Sequence, residues 1–183
     1  DKEFKDKGFD PKNEYSVPYF WGTLGIVYNS DNVKENIDSW NALWDQKYKD
    51  KIIMMDSSRD AIGLSLIKMG YSMNSENETE LNKAKEELMK QKPLVRAYQL
   101  DQTKDIMING EADLAVMYSG DAALAISEAP NLKYVIPKEG SNIFIDSMVV
   151  PKNAENKENA EAFINFMLEE HNASQNAAIG YST

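Results

Sequence analysis

The sequence predicts an α/β fold in which helices cover both faces of a sheet. Short apolar runs alternate along the chain with segments of helical periodicity, and short turns join them. At 183 residues, of which 42% are hydrophobic, the chain is long enough to bury a core. The charged stretch before Val17 carries little core material. We therefore expect a linker, or a strip of a neighbouring domain, at residues 1–16 and a single α/β domain at residues 17–183.

Six strands are predicted from apolar runs that end in turn residues. TLGIVYN and LAVMY are examples, because an almost continuous apolar run is typical of a strand buried on both faces. In chain order, the predicted strands lie at residues 23–29, 51–55, 94–98, 112–118, 132–137 and 142–151.

Helices are predicted from capping residues and from apolar residues spaced by three and four. Asp56, Ser57 and Ser58 can each cap the helix that follows the second strand, and Asp121 stands where the helix after the fourth strand should begin. In chain order, the predicted helices lie at residues 38–44, 56–70, 77–92, 103–110, 121–127, 157–170 and 172–180.

The clearest amphipathic pattern lies near the end of the chain. In KENAEAFINFMLEE, Phe163, Ile164 and Met167 recur on one face of a helix. We expect these three side chains to pack on the sheet.

Charge and residue types exclude several classes of function. Twenty Lys and Arg against 30 Asp and Glu give a net charge of −10, which disfavours a nucleic-acid partner and favours a cation as any charged ligand. The absence of cysteine removes disulfides, thiolate nucleophiles and Cys-based zinc sites, and the one histidine, His171, lies in a polar stretch typical of a surface. No apolar run approaches the ~18 residues of a membrane span. We expect neither a metal nor a cofactor.

Acidic and aromatic residues stand at or beyond the ends of predicted strands, where ligands bind in open α/β sheets. They are Asp60, Tyr118 with Asp121, and Phe144 with Asp146, of which the last two share one strand face. Carboxylates accept charge-assisted hydrogen bonds from an alkylammonium group, while aromatic faces hold methylenes and attract the cation. The set suits such a ligand better than acid–base catalysis, for which the sequence offers no evident nucleophile or oxyanion donor.

Helix capping is a second interpretation of the same acids. Ser57, Asp60 and Asp121 lie where a helix N-terminus is stabilised by hydrogen-bond acceptors and negative charge, with or without a ligand. The sequence pattern leaves both interpretations open.

Seven strings resemble the polyamine-binding proteins of bacterial ABC importers, the spermidine/putrescine group. They are FDPKNEYSVPYFWGTLGIVYN, SWNALWDQKYKDKI, DSSRDAIGLSLIKMGYS, INGEADLAVMYSGDAA, VIPKEG, IFIDSMVVPKNAENKENAEAFINFML and IGYST. They follow the family's order over roughly residues 9–183, and the combination of YxGD, FxDS and GYxT is fairly specific. The resemblance implies a type II periplasmic-binding-protein-like fold, in which two α/β lobes, each a mixed sheet flanked by helices, clamp the ligand. The chain would be the second, C-terminal lobe, without the first.

The resemblance also implies a set of ligand-binding residues. Asp146 would be the main carboxylate for an ammonium group, with Phe144 as the aromatic wall beside it. Ser57 stands where spermidine binders carry an Asp, which favours a putrescine-like pocket. The implied ligand-binding residues are Ser57, Asp60, Tyr118, Asp121, Phe144, Asp146 and Tyr181.

The function implied by the resemblance is that of a non-enzymatic solute-binding component of an ABC importer, which captures polyamines. It would work on the extracellular or periplasmic side of the membrane, as a lipoprotein or as a domain fused to a permease. Its partners would be the polyamine, the missing first lobe and the ABC permease. Two alternatives remain on the residues alone: a binding lobe for another cationic or amino solute, and a small α/β enzyme that uses Asp60 or Asp146 as a base.

Overall fold

The computed structural model describes residues 7–178 as a mixed α/β structure, which confirms the predicted fold class. The strands are β1 (Val17–Asn29), β2 (Ile52–Met55), β3 (Val95–Gln99), β4 (Leu114–Tyr118), β5 (Leu132–Val135) and β6 (Ile143–Met148). The α-helices are α1 (Ser58–Lys68), α2 (Glu78–Gln91), α3 (Gln102–Ile108), α4 (Ser119–Glu128), α5 (Lys157–Leu168) and α6 (Glu170–Ala178). Short 3₁₀ segments lie at Trp40–Trp44, Gln46–Tyr48 and Lys92–Leu94.

The strands form a mixed sheet in the order β3-β2-β4-β1-β5, and β6 pairs with β1 off this path. β2 runs parallel to both β3 and β4, whereas β1 runs antiparallel to β4 and β5. Because β2, β3 and β4 run in the same direction, their carboxyl ends meet at one edge of the sheet.

Both faces of the sheet are buried at β2 and β4, which explains why these two strands are continuous apolar runs in the sequence. Side chains alternate along a strand, so neighbouring residues of β2 enter different clusters. Met54 packs in the cluster that contains Trp40 and Leu64 of α1. Ile53 packs in the cluster that contains Met107 of α3. The sheet is therefore the middle layer of this part of the molecule.

Gly25 allows a close approach between β1 and β5. A Cβ at this position would lie 2.4 Å from the ring of Tyr134, a distance that side chains do not tolerate. The Tyr134 hydroxyl reaches past Gly25 to Thr23, 2.9 Å from its Oγ1. Replacing this glycine would displace the tyrosine and its contact with Thr23.

Several element boundaries differ from the prediction. β1 begins at Val17 rather than at residue 23, and α4 begins at Ser119 rather than at Asp121. The helix predicted over 38–44 is a short 3₁₀ segment, capped by Ser39, whose side chain accepts a hydrogen bond from the Asn41 N–H. The segment is helical, as predicted, but its hydrogen bonds follow the tighter 3₁₀ pattern and not that of an α-helix.

The chain divides into two compact units. The first is Thr23–Asn142, which contains both core clusters. The second consists, within the described range, of residues 7–22 and 143–178. In this second unit Asp10 is buried, and its carboxylate accepts hydrogen bonds from the backbone N–H groups of Glu14, Tyr15 and Ser16, which fixes a tight local turn.

The prediction that the apolar face of α5 packs on the sheet is wrong for Phe163, which is 60% exposed. No residue of α5 is buried; Ile164 and Met167 are half-buried. The amphipathic pattern is present in the sequence, but no surface within residues 7–178 covers it. Pattern alone indicates which face of a helix is apolar and not what packs against it.

Candidate functional site

A cavity of about 540 Å³ lies at the carboxyl ends of β2, β3 and β4. Each of these strands is followed at that edge by a helix: α1, α3 and α4 respectively. The walls of the cavity come from the ends of the strands and from the first turns of those helices. The lining residues are Met55, Asp56, Ser57, Ser58, Arg59, Leu100, Asp101, Thr103, Lys104, Val116, Met117, Tyr118 and Asp121.

Ser57 caps α1 and also lines the cavity. Its side-chain oxygen accepts a hydrogen bond from the Asp60 N–H at 3.3 Å, and its carbonyl accepts one from the Ala61 N–H at 2.9 Å. Ser57 was one of three candidate caps, and it is the residue that performs this role. Ser57 lines the cavity as well, so capping does not remove it from the candidate site.

Asp60 and Tyr118 form a buried pair. The Tyr118 hydroxyl donates a hydrogen bond of 2.7 Å to the Asp60 carboxylate, and Asp60 is only 7% exposed. Asp60 does not line the cavity; it faces a crevice beside Leu24 and Trp40 that has no room for a water molecule. The carboxylate therefore holds the Tyr118 side chain and is poorly placed to act as a general base on a substrate in the cavity.

Asp121 lies in the first turn of α4, on the cavity wall. It does not cap the helix, since Tyr118 occupies the cap position and no side chain caps it. Burial raises the pKa of the Asp121 carboxyl above its usual value; Asp101 raises it further, while Lys104 lowers it. Within residues 7–178 this carboxylate accepts no hydrogen bond, so it remains available to a ligand.

Phe144 and Asp146 lie on β6, in the second unit. They alternate with Ile145, as a shared strand face requires. Asp146 is exposed, and Phe144 is half-buried. Tyr181 lies outside the described residues. The structure thus brings together four predicted residues of the first unit: Ser57, Tyr118 and Asp121 line one cavity, and Asp60 is bonded to Tyr118.

Four charged residues of the cavity wall were not predicted as site residues: Asp56, Arg59, Asp101 and Lys104. Asp101 follows β3, so the rule that ligands bind at the carboxyl ends of strands would have identified it. Its signal was missed because the strand VRAY is short and the following loop, QLDQ, contains no aromatic residue. Lys104 had no signal in the sequence, because its position on the cavity wall depends on how α3 packs.

The wall combines charge with apolar surface. Asp56, Asp101 and Asp121 oppose Arg59 and Lys104, and the Arg59 guanidinium is already engaged by Asn74, to whose side-chain oxygen it donates at 2.9 Å. The wall also includes the apolar residue Leu100 and the aromatic residue Tyr118. Such a cavity fits a small cation that carries methylene groups.

The described residues hold neither a clustered metal site nor a membrane-spanning helix. Among residues 7–178, no three His, Cys, Asp or Glu side chains converge as a metal site would require. None of the helices in this range has the length and apolar character that crossing a membrane requires.

Comparison with known proteins gives consistent matches. Residues 1–182 match the family described as bacterial extracellular solute-binding protein. The chain is 40% identical over its whole length to the spermidine/putrescine-binding periplasmic protein of Salmonella typhimurium. It is also 39% identical, over 87% of its length, to the putrescine-binding periplasmic protein SpuD of Pseudomonas aeruginosa.

A solved structure shows the same fold. The spermidine/putrescine ABC transporter substrate-binding protein PotD of Streptococcus pneumoniae, in complex with calcium and HEPES, superposes with a TM-score of 0.88 at 44% sequence identity. The match covers 100% of this chain and 57% of that one. The chain likewise spans about half the length of the curated relatives it matches, 53% of the Salmonella protein and 48% of the Pseudomonas protein. With its fold, its cavity and a family match along almost every residue, the chain belongs to the bacterial extracellular solute-binding proteins.

Proposed function

We propose that this chain is the ligand-capturing part of a polyamine-binding component of a bacterial ABC importer. The observation that carries the proposal is the cavity at the carboxyl ends of β2, β3 and β4, whose lining includes Asp56, Asp101 and Asp121 together with the aromatic residue Tyr118. A polyamine is a chain of methylenes between ammonium groups. Carboxylates and an aromatic face are the groups that bind both parts of such a molecule.

The charge of the helix ends supports a cationic ligand. Three helix N-termini at one edge would by themselves favour an anion, because each carries a partial positive charge. Each of these helices, however, has an aspartate in its first turn: Asp60 in α1, Asp105 in α3 and Asp121 in α4. These carboxylates offset the positive ends and leave the edge suited to an ammonium group.

The names of the relatives support the same ligand class. The two curated relatives described above are named for binding spermidine and putrescine, or putrescine alone. We infer that the ligand here is likewise a polyamine. The proposed ligand-binding residues are Ser57, Asp60, Tyr118, Asp121, Phe144, Asp146 and Tyr181, with Asp60 acting through its hydrogen bond to Tyr118.

We further propose that the remainder of a longer polypeptide, the parent protein, supplies the first lobe. The exposed apolar residues of α5, Phe163 at 60% and Phe166 at 52%, support this, as do Ile143 and Val149 of the same unit. An amphipathic helix without a single buried residue is typical of one whose packing partner is elsewhere. In this proposal residues 17–183 are the second lobe, within which Thr23–Asn142 forms a compact unit of its own. Residues 1–16 remain assigned to a linker or to a strip of the first lobe.

The parent protein would act outside the cytoplasmic membrane and deliver its ligand to an ABC permease. It would be a lipoprotein or a domain fused to the permease. It would carry out no chemical reaction, in keeping with the engagement of Asp60 by Tyr118.

A thermal-shift screen of the parent protein tests the ligand class. Any compound that binds only the folded state raises the free energy of unfolding, by ~2.7 kcal/mol at a hundredfold excess over the Kd, and so raises the melting temperature. We expect putrescine and spermidine to raise the melting temperature, and amino acids and divalent metal ions to leave it unchanged. A shift with an amino acid or another amino solute, and none with the polyamines, would favour the alternative solute and contradict the proposal.

A further inference from the structure

Lys104 places a positive charge inside an otherwise acidic region of the cavity. It is the third residue of α3, it is half-buried, and it lines the cavity together with Asp101 of the preceding loop. Asp121 of α4 lies on the same wall. α3 and α4 therefore bring two carboxylates and one ammonium group to the same end of the cavity.

Asp101 and Lys104 shift the pKa of Asp121 in opposite directions. Asp101 raises the pKa of the Asp121 carboxyl, and Lys104 lowers it. Within residues 7–178 no carboxylate lies within 4.0 Å of the Lys104 ammonium. Lys104 thus contributes charge to the cavity without being held in a contact ion pair.

The charges at this end can be counted. Asp101 and Asp121 contribute two negative charges and Lys104 one positive charge, which leaves one negative charge for a ligand to neutralise. Elsewhere on the wall the formal charges of Asp56 and Arg59 sum to zero. A ligand that brings one ammonium group to this end would leave it neutral, whereas a ligand that brings two would leave an uncompensated positive charge in a partly desolvated site.

We propose that Lys104 is a specificity-determining residue, which limits this end of the cavity to one ligand ammonium group and thereby favours a diamine over a triamine. This inference rests on the proposed polyamine-binding function and concerns the same site. Lys104 plays the part that a second ammonium group of a longer ligand would otherwise take. The residue acts on ligand preference and not on the fold, because it makes no contact ion pair that the core depends on.

The test measures the ratio of the Kd values for putrescine and spermidine by calorimetry on the parent protein. Lys104→Gln should shift this ratio toward spermidine by about tenfold, which is the order of effect of one unit charge in a partly solvated site. Lys104→Arg keeps the charge and should keep the wild-type ratio. The control is Lys85→Gln on α2, which makes the same charge change at an exposed position away from the cavity; it should also leave the ratio unchanged.

The pH at which polyamine binding is lost on acidification gives a second readout. Removing the Lys104 charge raises the Asp121 pKa further, with Asp101 still adjacent, so Lys104→Gln should lose polyamine binding at a higher pH than wild type. An unchanged ratio in Lys104→Gln, or an equal shift in Lys85→Gln, would overturn the inference. A wild-type protein that binds neither polyamine would instead overturn the proposed function itself.

Discussion

Tyr118→Phe should destabilise the protein by about 1.5–3 kcal/mol, the usual contribution of a hydrogen bond to a charged group. The variant keeps the ring and removes only the hydroxyl, which donates a 2.7 Å hydrogen bond to the Asp60 carboxylate. Asp60 is 7% exposed and faces a crevice that cannot admit water, so solvent cannot replace the lost donor. For a chain of this length, the loss corresponds to a fall in melting temperature of about 3–12 °C.

Urea denaturation, followed by circular dichroism, measures this loss. Tyr28→Phe is the matched control, because Tyr28 is half-buried against the same core and its hydroxyl bonds no residue in the range 7–178; it should change the free energy of unfolding by less than ~0.5 kcal/mol. A double-mutant cycle with Asp60→Asn should give a coupling energy of about 0.5–3 kcal/mol. Unchanged stability in Tyr118→Phe, or additive effects in the cycle, would refute the view that this pair positions the aromatic wall.

Three further predictions concern the cap, the free carboxylate and the chain by itself. Ser57→Ala should lower the free energy of unfolding by about 0.5–2 kcal/mol while Ser57→Asp keeps wild-type stability, since Asp caps a helix as well as Ser; equal urea midpoints for Ala and wild type would contradict this. Asp121→Asn should stabilise the protein at neutral pH, because burial raises the carboxyl pKa in the folded state and makes ionisation costly. That gain in stability should be absent below the ordinary carboxyl pKa of 3.8 and should grow as pH rises from there through the raised pKa of the folded state. Urea midpoints that show a pH-independent gain would contradict the assignment. The isolated chain should bind polyamines at millimolar strength or not measurably in calorimetry, because exposed ion pairs contribute only about 0.2–1 kcal/mol each; micromolar binding would show that one lobe suffices.

Much of the fold could be predicted because local patterns and tertiary burial agree in Thr23–Asn142. Ile53 and Met54 face different clusters, so β2 had to be apolar at every position and was recognisable as a strand buried on both faces. The start of β1 was missed because Pro18 and Gly22 interrupt its apolar run, as they would at the end of a strand. In α1, the helical spacing of Ile62, Leu66 and Met69 in the sequence is that of a buried stripe, yet Ile62 is 37% exposed. The helix instead buries the consecutive residues 63–66, because it contacts both the sheet and α2.

Site residues could be predicted only where an acidic or aromatic residue follows a strand that the sequence shows clearly. Tyr118 and Asp121 could be found because an aromatic and an acid follow an obvious strand, and the strand-end rule brought them to one cavity. The bond between Asp60 and Tyr118 could not be predicted, since 58 residues separate them and nothing local sets their distance. Lys104 could not be predicted for a similar reason: a lysine early in a helix is usually a solvated surface residue, and only the packing of α3 beside α4 places it on the cavity wall.

Calorimetry on the parent protein tests the central claim most directly, with putrescine and spermidine titrated into wild type and into Asp146→Asn. We expect micromolar or tighter binding by the wild type. Asp146 is exposed in this chain, but in the proposed two-lobe protein the first lobe would close over it and desolvate its ion pair with the ligand. In Asp146→Asn we therefore expect binding weaker by about two to four decades, because breaking a desolvated ion pair costs roughly 3–5 kcal/mol. Asp31→Asn, at an exposed loop position, is the charge-matched control and should bind like wild type. Wild-type protein that gives no heat with either polyamine, or an Asp146→Asn protein that melts normally and binds at wild-type strength, would contradict the account.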